Sequence, residues 1–315
     1  MDQGGARGAN PLAVKAASRR REAHGSRPGL GFNCQTSGRI APSARSVKLF
    51  RTPMEKHHAD TIANLVRAME PDPDVLALLL GGSLAHGCAR PDSDVDVAIV
   101  LTDAAMAHQR ATGKLHYNNR ALCTYDGYID GKYMDGGFLR LVAERGSDPI
   151  RYAFEGNQVL FSRLPGLESL LAEIVRYPMA EKPERLERFA AQLLAWRWYY
   201  SEGVRQQSPY LLTLAGQKLT LFTCRLILAH NEMLYPYHKW MLRVTLSAPR
   251  QPAGLATTLP KLLTQPGWDF VDHHVRATLA CVGLDFAAVD AAWPTRFMQD
   301  SELRWMTGAA AIDDL

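Results

Sequence analysis

The feature that most constrains the fold is a pair of short apolar runs, joined by a glycine-serine turn and a spacer, with two aspartates in the second run. The first run, VLALLL at 75–80, ends in Gly81-Gly82-Ser83, and after ten further residues the run DVDVAIVL fills 94–101. A short apolar run closed by glycine predicts a buried strand. The alternation and β-branched residues of the second run predict another strand.

In the second strand, Asp94 and Asp96 share one face, because side chains alternate between the two faces of a strand. Val95, Val97 and Ile99 then point to the core. Two strand rises separate the aspartates by roughly 6.5–7 Å at the backbone, so their oxygens can converge on one or two divalent cations. Without a cation, like charges this close raise one pKa and reduce stability. Such hard oxygen ligands suit Mg²⁺ or Mn²⁺.

The turn after the first strand supplies a complementary group. Glycines at the end of a strand that opens a helix let a phosphate approach free backbone N–H groups, and the Ser83 hydroxyl can donate as well. We therefore predict that Gly82 and Ser83 bind phosphate beside a metal held by Asp94 and Asp96. No G-K-[ST] follows the glycines and no G-x-G-x-x-G opens a helix, so neither a P-loop nor a Rossmann site is supported. The alternative is a structural strand with two solvated aspartates at its start.

The run GGSLAHGCARPDSDVDVAIV at 81–100 resembles the signature of the nucleotidyltransferase (DNA polymerase β-like) superfamily. It is similar in particular to bacterial members related to aminoglycoside nucleotidyltransferases. The resemblance extends over about 75–163 and implies a small mixed sheet with Mg²⁺ held by carboxylates. It also implies transfer of a nucleoside monophosphate from an NTP, by preference ATP, to an acceptor hydroxyl.

The resemblance further implies a third acid on a neighbouring strand, with Asp126, Asp130 and Asp135 as candidates. Local chemistry leaves two arrangements open: Asp130-Gly131 can form a type I′ hairpin turn that leaves Asp135 on a strand, or GYIDGKY can be one strand. GYIDGKY is similar to a segment that relatives place beside the metal. This favours Asp130, as a metal ligand or as the base for the acceptor hydroxyl.

Lys239, in the segment NEMLYPYHKWMLRV at 231–244, is a further candidate. A lysine is a flexible cation that can reach a triphosphate. The run YPYHKW also resembles a segment of related nucleotidyltransferases, so we predict that Lys239 contacts the nucleotide. The alternative is a junction in which Tyr235 and Trp240 pack between helices.

Other patterns favour structural roles. Trp196, Tyr199 and Tyr200 share a helical face that predicts core packing. Arg225 and His230 have the R-x₄-H spacing of some HEPN-type RNases, but this spacing arises often by chance in helices.

Several histidines stand beside these motifs without predicting a metal site. The adjacent pairs His57-His58 and His273-His274 point in different directions on a helix, and no zinc-type spacing accompanies them. His86, in the glycine turn region, is expected on a helix surface.

Charge and composition divide the chain. Residues 1–53 hold ten Lys/Arg against two acids, a balance of +8, whereas the remaining 26 basic and 30 acidic residues give −4. We predict that 1–53 is a disordered basic extension, with a targeting peptide or a nucleic-acid arm as alternatives. Because the remainder is mildly acidic, nucleic acid is not a favoured partner. A catalytic domain at 54–163 and an α-helical domain at 164–315 complete the predicted organisation.

The predicted fold class is thus α+β, a small mixed sheet flanked by helices and followed by an all-α part. Five cysteines without a C-x-x-C pair favour a reducing compartment, and no apolar run is long enough to predict a membrane span, so a cytoplasmic location is expected. The predicted partners are a nucleotide and a small-molecule or macromolecular hydroxyl acceptor. The alternative function is a nucleotidyltransferase-fold antitoxin or interaction protein without significant catalysis. The intact aspartate pair favours the enzyme, and the sequence leaves the oligomeric state open.

Overall fold

A computed structural model describes residues 54–308 and residue 312. Its first half contains one mixed sheet flanked by helices, and the second half is helical, which confirms the predicted α+β class. The predicted extension at 1–53 lies outside the described residues, and the domain boundary at 163/164 stays a prediction.

The sheet has five strands in the order β3-β4-β2-β1-β5. Strands β2 and β4 are parallel, and the other neighbouring pairs are antiparallel. The strands are β1 Val75–Leu80, β2 Val95–Leu101, β3 His116–Asn119, β4 Ile129–Asp135 and β5 Gln158–Ser162.

Six helices accompany the sheet, and the six helices that follow them in the chain form the helical part. The first group is α1 Lys56–Met69, α2 Gly82–Ala85, α3 Asp103–Ala111, α4 Gly136–Arg145, α5 Asp148–Tyr152 and α6 Leu167–Ile174. The second group is α7 Lys182–Gln206, α8 Pro209–His230, α9 His238–Leu246, α10 Leu255–Lys261, α11 Trp268–Cys281 and α12 Phe286–Phe297.

The two apolar runs form the central strands β1 and β2, and both faces of these strands are covered. Leu78 and Ile99 pack on the side of α1 with Leu65. Leu79 and Val100 pack on the opposite side, where α4 and α6 lie. Within β2, Asp96 is the one residue that is not buried. The sheet core therefore leaves the Asp96 position open at the start of the strand.

Three local features of the fold were left open or not predicted from the sequence. Asp130-Gly131 lies inside β4 rather than at a hairpin turn, because β4 pairs in parallel with β2. Strand β3 was not predicted, since its four polar and aromatic residues lack apolar alternation. Helix α8 ends at His230, and Glu232 takes a left-handed conformation with φ of 59° before Pro236.

The helical part is built around α7 and α8. Tyr200 is fully buried there, and Trp196 and Tyr199 pack against the same core, which confirms their predicted packing role. Among the described helices, α8 alone is long and apolar enough to cross a membrane, but 67% of its most apolar window is buried inside the protein. This burial is typical of a core helix.

Arg225 lies inside this helical core. Its side chain is fully buried, and the ring centroids of Phe189 and Tyr235 lie 4.5 and 4.2 Å from its guanidinium carbon. Its Nη2 lies 3.7 Å from the Asp148 Oδ2. Asp148 also pairs with Arg185 at 2.5 Å, so one carboxylate of α5 joins α7 and α8. A guanidinium enclosed in this way cannot reach an RNA strand, and the RNase interpretation of Arg225 and His230 is therefore wrong.

Candidate active site

The turn after β1 lies directly against Asp96. The Gly81 N–H donates to the Asp96 carbonyl at 2.9 Å, which ties the turn to β2. Gly82 has φ of 59°, and a β-carbon at Gly82 would overlap the Asp96 carboxylate. Glycine is therefore required at this position twice, for the left-handed backbone and for the close approach of the carboxylate.

Ser83 follows, with a buried hydroxyl that faces no polar partner among residues 54–308. Its Oγ is buried and makes no hydrogen bond within the described residues. Its carbonyl accepts from the Cys88 N–H at 3.0 Å, which orders the loop that follows α2. Buried hydroxyls are nearly always hydrogen-bonded in folded proteins, so this one is available to a ligand.

The sheet brings three carboxylates together. Asp94 immediately precedes β2, Asp96 is its second residue, and Val95 and Val97 are buried on the other face, as the alternation predicts. Asp96 pairs in register with Asp130 across the parallel strands. Neighbouring strands lie about 4.8 Å apart, and paired residues point to the same face. Asp94, Asp96 and Asp130 thus occupy one corner of the sheet.

The charges of this corner act on Asp96. Burial, followed by the negative charges of Asp94 and Asp130, raises the pKa of Asp96 to about 6, and Lys239 and Lys132 oppose this effect. Lys239 therefore lies close enough to the carboxylates to interact with them, although it follows Asp96 by more than a hundred residues in the chain. At Asp96, the negative charge of the neighbouring carboxylates exceeds what these two lysines offset.

Asp130 and Asp135 have different partners, although both belong to β4. Asp130 pairs with His116 of β3, a histidine that the sequence did not single out. Asp135 lies opposite Leu101 at the far end of β4, accepts from the Phe138 N–H at 2.6 Å and pairs with Arg110 at 2.6 Å. Asp135 is thus the N-cap of α4 at the end of β4 away from Asp96, whereas Asp130 is the acid of β4 that lies opposite Asp96.

A pocket of about 520 Å³ opens beside Asp94, within the size range of small-molecule sites. Ser83 and Asp94 line it from the sheet side, and Lys239, Trp240 and Arg243 line it from α9. The predicted phosphate turn and the predicted nucleotide lysine therefore face the same cavity.

Helix α9 presents two cations to this pocket. Lys239 and Arg243 are four residues apart and share one helix face. Both are exposed, and neither has an ion-pair partner in the part of the chain that the structure describes. Arg243 was not predicted from the sequence, although the K-x-x-x-R spacing was a signal for it. An unpaired pair of cations beside a serine turn is suited to a polyphosphate.

His86 connects the turn region to α9. Its ring stacks on Tyr152 with centroids 5.3 Å apart and lies 5.5 Å from Trp240. Burial, followed by the positive charge of Arg243, lowers the pKa of His86. His86 is therefore half-buried at the end of α2, in contact with two aromatic rings, rather than on a free helix surface as expected.

The corner has the chemistry of a site for a hard divalent cation, although it is not a preformed cage. Within residues 54–308, no three His, Cys, Asp or Glu side chains converge closely enough to form a ready metal cluster. Nevertheless, the raised pKa of Asp96 reports negative charge that the protein does not neutralise. Carboxylate oxygens beside a buried, partnerless hydroxyl fit Mg²⁺ or Mn²⁺ with a bound phosphate.

Comparisons with known proteins identify a family for part of the chain. Residues 60–134 match the family model described as a nucleotidyltransferase domain. No curated protein matches the chain. A similar solved structure is that of a nucleotidyltransferase-like protein from Exiguobacterium sibiricum 255-15, with 10% identity, 79% of each chain covered and a TM-score of 0.41.

Proposed function

We propose that this chain, whose residues 60–134 form a nucleotidyltransferase domain, is a divalent-cation-dependent enzyme that moves a nucleoside monophosphate from an NTP to an acceptor hydroxyl. ATP is the expected donor, and pyrophosphate is the expected second product. The observation that carries the proposal is the contact of the Gly82-Ser83 turn with Asp96, which is in register with Asp130.

The phosphates and the cation are bound by different residues of the site. Ser83 Oγ and the turn backbone donate hydrogen bonds to phosphate oxygens, and Lys239 and Arg243 bind the polyphosphate from the opposite wall. Asp94, Asp96 and Asp130 hold the cation. Bound Mg²⁺ or Mn²⁺ would polarise the reacting phosphate and stabilise the charge on the entering and leaving oxygens.

Transfer then needs one proton acceptor. As the acceptor oxygen bonds to the α-phosphorus, its proton passes to a base, and the bond to the bridging oxygen breaks so that pyrophosphate leaves. Asp130 is our candidate for this base, in addition to its role as a ligand. His116, which pairs with Asp130, holds that carboxylate beside Asp96.

The acceptor is a small molecule or a macromolecule with a free hydroxyl, and an aminoglycoside-like compound follows from the family resemblance. Nucleic acid is not favoured, because the chain outside 1–53 carries a net charge of −4. We propose a cytoplasmic location without membrane association for this activity.

The test is transfer of label from each α-³²P NTP to a panel of hydroxyl acceptors in the presence of Mg²⁺. We expect Asp94→Asn and Asp96→Asn to lower transfer by about 100-fold or more, a loss typical of a group that stabilises transition-state charge. The control is Asp290→Asn, an exposed aspartate of α12. No transfer with any acceptor, together with stable co-purification of a partner, would favour the interaction protein instead.

A further inference from the structure

The loop that carries Asp94 is held by the first turn of α1. His57 Nε2 lies 2.9 Å from the Pro91 carbonyl oxygen, and His58 Nε2 lies 3.0 Å from that of Ser93. A carbonyl can only accept, so both rings donate their Nε2–H. Ser93 immediately precedes Asp94, so the second of these bonds acts one residue from the carboxylate.

A tyrosine completes the same contact. The Tyr125 hydroxyl also donates to the Ser93 carbonyl, at 2.5 Å. Its ring lies 4.6 Å from that of His57 and 5.0 Å from that of His58, edge to face in the second case. The Ser93 carbonyl thus receives one donor from His58 and one from Tyr125, and the two bonds fix its direction. The His57 ring, which donates to Pro91, contacts both of these rings.

The neighbouring residues hold these rings in place. The Thr124 hydroxyl donates to the His57 carbonyl at 2.9 Å, and the Thr124 N–H donates to the Thr61 hydroxyl at 3.1 Å. His58 and Thr61 are both fully buried. Helix α1 and the segment before β4 therefore form one support under the loop.

His58 acts as a hydrogen-bond donor that holds the loop, not as a metal ligand or an acid. Burial lowers its pKa, so the ring is neutral at pH 7, with one N–H directed at Ser93. Its Nδ1 has no hydrogen-bond partner within the described residues. A buried neutral ring with one N–H in use has a fixed tautomer and orientation.

Asp94 needs such a support because it lies outside the sheet. The ladder begins at Val95, whose N–H donates to the Tyr128 carbonyl at 3.1 Å. Upstream, the Ser93 N–H donates to the Arg90 carbonyl at 3.0 Å and the Arg90 N–H to the Ser93 hydroxyl at 2.9 Å, and both bonds stay within the loop. The histidine and tyrosine bonds connect this loop to the core.

We propose that His57 and His58 are positioning residues that set the Asp94 carboxylate for divalent-cation binding. The inference rests on the proposed function, since it takes Asp94 as a cation ligand. Loss of an outer partner of a metal ligand typically reduces metal affinity by 10–100-fold. We expect a weakening of about this size for His58→Ala and a smaller one for His57→Ala, because His57 is less buried.

The experiment measures Mn²⁺ binding to the full-length protein by electron paramagnetic resonance, without nucleotide or acceptor. Wild type is compared with Asp94→Asn, His58→Ala and His58→Gln, and His273→Ala is the control because that histidine is exposed. The glutamine amide can donate to the Ser93 carbonyl, so His58→Gln should recover most of the affinity. Tyr125→Phe retains the ring but removes one donor, and we expect a loss of a few-fold.

The outcomes separate this inference from the proposed function. If wild type shows no Mn²⁺ site that Asp94→Asn removes, the proposed function fails first. If that site exists but His58→Ala and Tyr125→Phe bind Mn²⁺ as wild type does, the positioning role is overturned. If His58→Ala does not fold, the Mn²⁺ affinities of His58→Gln and Tyr125→Phe test the role instead. Most of the wild-type affinity in His58→Gln, together with a loss in Tyr125→Phe, would support the positioning role. Any other pattern of affinities would refute it.

Discussion

Asp96 of β2 and Asp130 of β4 lie directly opposite each other in a parallel strand pair. Asp94 precedes β2 on the same face, and burial together with the two neighbouring carboxylates raises the pKa of Asp96 to about 6. The sheet thus holds like charges together at a position where the Gly82-Ser83 turn and two cations of α9 meet. A bound divalent cation would neutralise the carboxylates, and a bound phosphate would pair with the two cations of α9.

Substitution can distinguish the roles of Asp130 and Asp135, the two aspartates of β4. Asp130→Asn should lower transfer by about 100-fold with little change in the free energy of unfolding, because the residue is half-exposed and serves the site. Asp135→Asn should retain turnover but lower the free energy of unfolding by about 1–2 kcal/mol, since it weakens a helix cap and an ion pair. Transfer assays and denaturant unfolding on both variants check this, and near-normal turnover in Asp130→Asn would remove it from the site.

Gly82→Ala should abolish phosphate and cation binding. The new methyl group overlaps the Asp96 carboxylate, and the left-handed backbone adds about 1–2 kcal/mol of strain. Gly113→Ala is a matched control, because Gly113 also has a positive φ, 68°, but open space around a β-carbon. Isothermal titration with NTP should show binding in the Gly113 variant alone, and equal binding in both would contradict the close approach of Asp96 to the turn.

The raised pKa of Asp96 predicts how stability depends on pH without divalent cations. The folded state disfavours the ionised carboxylate, so stability is unaffected below the unfolded value of 3.8 and falls as pH rises through about 6. At pH 7.5, Asp96→Asn should raise the free energy of unfolding by about 1–2 kcal/mol, discounted for partial exposure, with no gain near pH 3.5. Denaturant unfolding at both values tests the sign, and a gain at pH 3.5 as large as that at pH 7.5 would contradict the titration of Asp96.

Arg243→Gln and Lys239→Ala should each weaken NTP binding by about 10-fold, because each removes one charge-assisted contact to the polyphosphate. Added salt should reduce the difference from wild type. Arg140→Gln, an exposed arginine of α4 that does not line the pocket, is the control. Unchanged nucleotide affinity in Lys239→Ala would instead support a packing role for this segment.

The sequence by itself determined the elements whose signals are local. Leu78 and Ile99 belong to apolar runs that form buried strands in almost any compact fold, and Gly82 stops the first run because its backbone is left-handed. The alternation of Asp94, Val95 and Asp96 is enough to predict that both acids lie on one face of the strand. The superfamily signature covers the same residues, and the match of 60–134 confirms it.

Only the tertiary structure placed Asp130 opposite Asp96 and Asp135 opposite Leu101, because both aspartates lie on β4 and their neighbours depend on its parallel register with β2. The same holds for His58, which meets Ser93 across 35 residues, and for Arg243, which reaches the pocket from the helical part. Such contacts arise when separate apolar surfaces are buried together, and no local pattern of residues encodes which polar groups then become neighbours.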